Sequence, residues 1–271
     1  MLEIFNEDCR ETLSRLLSNN KKVNLIITSP PYNTQRGKMK FSEKTFKEYD
    51  ARYDKEIPNM TEEEYINFTV NLFNQIDKIL VPNGVILWNM SYGSDTHTKE
   101  GQNLLWLLIS ELIKRTEFSV ADRIIWKKRT ALPNNMSKNK LTRIVEDIFV
   151  FVREKEYKTF FCNKEIIGKL NKNQNLYSVI YNFIEAPNND GVNPYNKATY
   201  SSELVLKLLN IYGKRNDEFF IVYDPFGGTG TTLRACKEFG VSGIMSEISE
   251  NQCRYAEERI RNYVSQLSLI E

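Results

Sequence analysis

Residues 218–247 read EFFIVYDPFGGTGTTLRACKEFGVSGIMSE. An apolar run that ends at Asp224 reads as a strand, and Gly227, Gly228 and Gly230 follow it in a turn. A helix over residues 231–239 comes next, then a second strand over 241–247 that stops at Glu247. Strand, glycine turn, helix and strand in that order predict a βαβ unit, whose two strands run parallel. Working outward, residues 2–5, 23–28, 85–89, 119–126 and 145–152 carry strand patterns, and 9–18, 61–80, 104–115, 202–212 and 251–264 carry helical ones. Leu13, Leu16 and Leu17 make one helical stripe, and Tyr65, Phe68, Leu72, Ile76, Ile79 and Leu80 make another. Thr61 and Glu64 stand at capping-box spacing, with Pro82 and Gly84 to end the helix they open. The expected fold is α/β, a doubly wound and mostly parallel sheet.

Between about residues 157 and 196 the texture changes to Asn- and Lys-rich sequence with scattered aromatics and no clear period. One catalytic domain, made of residues 1–160 and 197–271 with an insertion at 161–196, fits this better than two equal domains. At 271 residues the chain is long enough for a sizeable core. Its 37 basic and 35 acidic side chains leave a net charge of only +2, which argues against binding nucleic acid by bulk charge. No apolar run approaches the roughly 18 residues of a membrane span, and the start MLEIFNEDCRETL lacks a signal-peptide pattern, so a cytoplasmic protein without a membrane partner is expected. Cys9, Cys162, Cys236 and Cys253 are widely spaced, so neither a metal nor a disulfide framework is expected. His97 is the only histidine and lies in a polar stretch. A chemistry that needs a histidine base is therefore disfavoured.

Two motifs remain. In the first, Asp224, Pro225, Phe226, Gly227, Gly228, Thr229, Gly230, Thr231 and Thr232 join a strand to a helix. Glycines there let backbone approach a ligand, and the helix start beyond them offers unpaired N–H groups. The lysine of a P-loop is absent, and Leu233 stands where a dinucleotide fingerprint has its third glycine. With Glu247 placed to accept from ribose hydroxyls, the segment reads as an adenosine site without a demand for pyrophosphate. Alone, it also suits a plain turn or a nicotinamide site. The second motif is Thr28, Ser29, Pro30, Pro31, Tyr32 and Asn33, at the end of the strand VNLIIT. The prolines stop the strand and leave a rigid, carbonyl-rich loop. Its carbonyls and the Ser29 hydroxyl can accept from an amino group, and Tyr32 offers a flat face to a base.

Together, TSPPYN followed by DPFGGTGTT resembles the β-arrangement S-adenosylmethionine-dependent DNA amino-methyltransferases, in which the catalytic tetrapeptide precedes the cofactor loop. The resemblance spans nearly the whole chain and leaves only about residues 163–193 without a counterpart, as expected of a target-recognition region. It implies a circularly permuted Rossmann-like methyltransferase fold, S-adenosylmethionine as cofactor, no metal, and double-stranded DNA as substrate. A restriction enzyme, a companion methyltransferase or a second copy of the chain is the kind of partner it implies. Within NEDCRETLSRL it places Asp8 near the cofactor adenine, with Cys9 and Thr28 also on the cofactor side. Ser29, Pro30, Pro31 and Tyr32 become the catalytic residues. Ser29 at the first position resembles the cytosine-N4 enzymes rather than the adenine-N6 ones, which usually carry aspartate there. KATYSSEL (residues 197–204) also resembles the cytosine-N4 pattern, but Asn196 and Thr199 depart from it. A site-specific cytosine-N4 methyltransferase is therefore expected, with an adenine-N6 enzyme or a non-catalytic nucleic-acid-binding subunit as alternatives.

Seven positive residues and no acid lie between residues 123 and 145, among them Lys127, Lys128, Arg129, Lys138, Lys140 and Arg143. Arg36, Lys38 and Lys40 follow the TSPPY loop. Both groups are expected to meet DNA phosphates. Taken together they hold +10, which leaves −8 for the rest of the chain. Residues 34–59 are expected to cover the flipped base as a lid.

Overall fold

A computed structural model describes residues 1–31, 60–91, 99–131, 133, 135, 138–139, 141–171, 174–191 and 199–263, with the backbone alone for 99–103. Eight strands form one sheet. They are β1 (Leu2–Phe5), β2 (Val23–Thr28), β3 (Leu80–Met90), β4 (Phe118–Lys128), β5 (Val145–Arg153), β8 (Phe183–Ala186), β9 (Ile221–Asp224) and β10 (Ser242–Ser246). Their order is β1-β10-β9-β2-β3-β5-β4-β8, and β5 alone runs against its neighbours. The expected doubly wound, mostly parallel sheet is therefore present. A separate hairpin pairs β6 (Ile166–Asn171) with β7 (Gln174–Tyr177).

The central strands are apolar on both faces because both faces are covered. Ile26, Ile86, Trp88, Phe151 and Tyr223 point into one core layer, with α1 (Cys9–Ser18), α2 (Glu62–Ile79) and α3 (Lys99–Arg115). Leu25, Ile27, Val85, Leu87, Val150 and Val222 point into the other, with α4 (Ser202–Tyr212) and α5 (Thr231–Phe239). The last helix, α6 (Glu250–Arg261), packs Ala256 and Ile260 near Leu233 and Met245. Thr61 and Glu64 do form the capping box at the start of α2, with Glu64 also accepting from the Thr61 amide at 2.7 Å.

Three local expectations change. Leu17 is 45% exposed, because the buried stripe of α1 runs through Cys9, Thr12, Leu13 and Leu16. The strand expected from residue 218 begins at Ile221, since Asp217 folds the preceding residues into a turn by accepting from the Phe219 amide at 3.0 Å. The segment 161–196 is not all outside the sheet: β8 extends the sheet edge beside β4, while the β6–β7 hairpin stands apart from it.

The connection through α2 carries the chain from β2 to β3, and that through α5 carries it from β9 to β10, in the opposite direction and on the opposite face. The winding reverses between β2 and β9. Ligands of open α/β sheets bind at such a reversal, beyond the carboxyl ends of the strands.

Candidate active site

The two motifs meet at this crevice. Thr28 ends β2 and Asp224 ends β9, and the Thr28 hydroxyl donates to Asp224 Oδ1 at 2.7 Å across 196 residues of sequence. Asp224 is 1% exposed. Its Oδ1 also accepts from the Phe226 amide at 3.1 Å, and its Oδ2 from the hydroxyls of Thr232 at 2.5 Å and Tyr200 at 3.0 Å. Burial pushes this carboxyl above its ordinary range, although all four donors pull the other way. Both oxygens are committed to protein donors, so this side chain acts as a tie between the two loops and the residues before α4.

The glycine loop is shaped by close packing. Gly228 and Gly230 have φ of +52° and +76°. A Cβ on Gly230 would stand 2.7 Å from that of Ala256, and one on Gly227 would stand 2.6 Å from that of Met245. The Gly230 amide donates to the Gly227 carbonyl at 2.9 Å, and α5 begins at the next residue. Phe226 sets its ring edge-on to Trp88, with centroids 6.2 Å apart, and tilted against Phe68 at 6.3 Å.

Glu247 follows β10 directly and is 3% exposed. Its Oε2 accepts from the Gly228 amide and its Oε1 from the Ser249 amide, both at 2.9 Å. Burial above all, with some help from nearby Asp224 and against the pull of the two amides, raises this carboxyl to about 7. Oε1 also takes a long bond from the Gln252 side-chain amide at 3.5 Å, so Oε2, with a single donor, retains the more accepting capacity. The Thr229 hydroxyl is buried with no hydrogen-bond partner among the described residues. A glycine-rich loop, an accepting carboxylate and an unsatisfied hydroxyl suit an adenosine-bearing ligand.

Asp8 caps α1 by accepting from the Arg10 amide at 2.8 Å and holds the Arg10 guanidinium through both oxygens. Burial opposes its ionisation, but the Arg10 bonds outweigh it and keep the carboxyl below its usual range. Cys9 is buried beneath, its carbonyl accepting from Tyr223 at 3.4 Å. On the β2 side, Ser29 is partly exposed, and Pro30 and Pro31 are buried. The buried Tyr65 hydroxyl of α2 donates to the Pro31 carbonyl at 3.3 Å and so fixes the far end of the turn. Tyr32, Arg36, Lys38, Lys40, Lys140 and His97 lie outside the described residues, as does the segment 34–59.

A family model described as DNA methylase, of the N6 and N4 type, matches residues 23–258. The chain belongs to the DNA methylase family. Among curated methylases, it is 24% identical to the orphan methyltransferase M.BamHII of Bacillus amyloliquefaciens over 89% of this chain and 90% of that one. It is 26% identical to the type II methyltransferase M.MjaI of Methanocaldococcus jannaschii over 89% and 86%. Two solved structures share the methylase fold. The cytosine-N4-specific PvuII DNA methyltransferase has a TM-score of 0.70 at 17% identity, covering 99% of this chain and 90% of that one. The M1.HpyAVI–SAM complex has a TM-score of 0.61 at 22% identity, covering 96% and 100%.

The basic residues of this methylase are less free than their run in sequence suggests. Lys127 pairs with Glu185 at 2.5 Å, Arg129 with Glu203 at 2.8 Å, Arg123 with Asp147 at 2.8 Å, and Lys128 with Glu146. The acids come from β5, β8 and α4, so an excess that is local in sequence is largely balanced in space. Lys138 is exposed and Arg143 is partly so. Sequence reasoning missed Tyr65 and Tyr200, which hold the two loops, and Asp190 and Arg259, which meet beside the glycine loop. Only Tyr200 had a signal, its place in KATYSSEL. Among the described residues, no group of His, Cys, Asp and Glu is arranged to hold a metal, and no helix is long and apolar enough to cross a membrane. None of the four cysteines is in a disulfide.

Proposed function

We propose that the protein methylates the exocyclic amine of a base flipped out of double-stranded DNA, cytosine N4 before adenine N6, within a restriction–modification system. The observation that carries this is the Thr28–Asp224 bond, which puts the TSPP loop and the glycine loop side by side at the winding reversal. S-adenosylmethionine, when bound, supplies an activated methyl group on a sulfonium. Glu247 would accept from its ribose, the 227–230 backbone would pass close beneath, and Asp8 and Cys9 would lie on the adenine side.

An exocyclic amine is a poor nucleophile because its lone pair is delocalised into the ring. The Ser29 side chain and the Pro30 carbonyl hold its two hydrogens and turn the lone pair out of the ring plane toward the methyl carbon. Tyr65, through the Pro31 carbonyl, keeps this turn rigid. No strong base is needed before attack, because the proton leaves a cationic product afterwards. Positioning is the main source of rate, and orientation of this kind is worth roughly 7 to 11 kcal/mol. Tyr32 stacks on the flipped base.

For the target, residues 161–196 contribute the β6–β7 hairpin, whose tip carries Asn171, Gln174 and Asn175, side chains suited to base edges in a major groove. Serine at position 29 favours cytosine. Sequencing that distinguishes N4-methylcytosine from N6-methyladenine, on DNA from cells expressing the protein, tests the reading. A recurrent N4-methylcytosine motif is expected. N6-methyladenine overturns the base assignment, and unmodified DNA overturns the activity.

A further inference from the structure

The glycine loop is held from two sides. Inside, Glu247 takes the Gly228 amide. Outside, the Arg259 guanidinium of α6 donates to the Thr229 carbonyl at 3.3 Å and to the Thr231 hydroxyl at 2.9 Å. Arg259 in turn is held by Asp190, which lies between β8 and α4. Asp190 also takes the Ser202 amide at 2.7 Å and hydroxyl at 2.5 Å, and the Arg234 guanidinium at 3.2 Å. One carboxylate thus gathers the start of α4, the first turns of α5 and the far half of α6. Two residues earlier, Asn188 brackets Thr130, donating to its carbonyl at 2.8 Å and accepting from its amide at 3.4 Å. The short segment 187–190 therefore touches the strand-end loop after β4 on one side and, through Arg259, the glycine loop on the other.

We propose that Asp190 is a positioning residue for the glycine loop, setting its outer wall through Arg259. Gly228 and Gly230 sit at positive φ and bring little conformational preference of their own, so the loop's shape depends on what grips it. Without Asp190, Arg259 and Arg234 face one another with no shared counter-charge, and Arg259 is drawn off the Thr229 carbonyl toward water. Asp190 does not contact the ligand in this scheme. Its effect on affinity rests on the cofactor reading given above, whereas its effect on loop order does not.

The experiment has two arms, both on the full chain. In the first, amide hydrogen exchange of the ligand-free protein is followed at Gly228 and Gly230 in the wild type, Asp190→Ala and Asp190→Asn. Faster exchange at these amides, with β2 and β9 unchanged, is the expected result. In the second, titration calorimetry with S-adenosylmethionine compares the wild type, Asp190→Ala, Arg259→Ala and the double variant. Loss of a charged hydrogen bond to the loop should weaken binding about tenfold in each single variant. The double variant should bind no worse than Arg259→Ala, since the two act through one contact. Asp190→Asn keeps an acceptor for Ser202 and should fold even if Asp190→Ala does not. Wild-type exchange and affinity in the Asp190 variants overturn the proposal. A wild type that fails to bind overturns the cofactor reading instead, and the exchange arm then decides alone.

Discussion

Glu247 should make the protein lose stability as the pH rises from 4.5 to 7. Its carboxyl is buried and is raised from 4.5 to about 7, burial being the largest cause. Between those values the native chain binds a proton that the unfolded chain has released, so unfolding becomes easier with each step of pH. At about 1.4 kcal/mol per pH unit, this one group removes about 3 kcal/mol across the window and nothing further above it. Below 4.5 both states are protonated, so the full stability is present and no longer depends on pH through this group.

Glu247→Gln isolates the effect. The amide cannot ionise, so the slope from this position vanishes. A carboxamide has one oxygen for two backbone donors, Gly228 and Ser249, so one N–H is left facing an NH₂ group, at about 1–3 kcal/mol. The variant should therefore be clearly less stable than the wild type at pH 5 and nearly equal to it at pH 8. Urea unfolding at half-unit steps of pH reads this directly. A wild-type profile without a falling component in this window, or a parallel profile in the variant, would refute the reasoning. The same carboxyl, once it accepts from ribose, should ionise on ligand binding, so affinity for S-adenosylmethionine should rise with pH up to about 7 and then level off.

Ser29→Ala and Tyr32→Ala should abolish methyl transfer to DNA while calorimetric binding of S-adenosylmethionine stays near wild type, because both side chains are assigned to the base; full activity in Tyr32→Ala would sink the mechanism. Gly228→Val should remove cofactor binding, since a β-branched residue is strained at φ +52° and its bulk fills the backbone's approach; an intact binding isotherm would count against the loop's role. Lys138→Ala should lower the salt dependence of DNA binding by about one counterion, whereas Lys127→Ala, whose ammonium already pairs with Glu185, should change it less; equal slopes for the two variants would show that the intramolecular pair opens on DNA.

How legible each part was depended on where its partners lie. Strands β2, β3 and β9 were plain because both their faces are buried and each carries a continuous apolar run, Leu25–Ile27, Val85–Trp88 and Ile221–Tyr223. β8 escaped notice because it is a four-residue edge strand in which only Ile184 and Ala186 are buried, and the hairpin β6–β7 because it is exposed on both faces. Helix ends were readable from local capping chemistry, as at Thr61 and Glu64. Charge was misleading for the opposite reason. The counter-charges of Lys127, Lys128 and Arg129 lie 18 to 74 residues away, so a run that looks uniformly basic along the chain is mostly paired in the fold.

The same distinction explains why the order of the two motifs along the chain matters little to the site they build. Thr28 and Asp224 touch because β2 and β9 are neighbours in the sheet, with Ile26 opposite Tyr223, and this adjacency is indifferent to which strand is made first. The connection from β2 to β9 then has to deliver Tyr65 to the Pro31 carbonyl and Tyr200 to the same carboxylate. Asp224 is then the residue that makes the two loops one site: it binds the Ser29–Pro31 turn through Thr28, the glycine loop through the Phe226 amide, the first turn of α5 through Thr232, and the approach to α4 through Tyr200. Four donors on a buried carboxylate offset much of its desolvation but leave the carboxyl raised, so the tie holds at a cost in stability. A hydrophobic residue of similar size would relieve that cost and lose the link between the two loops.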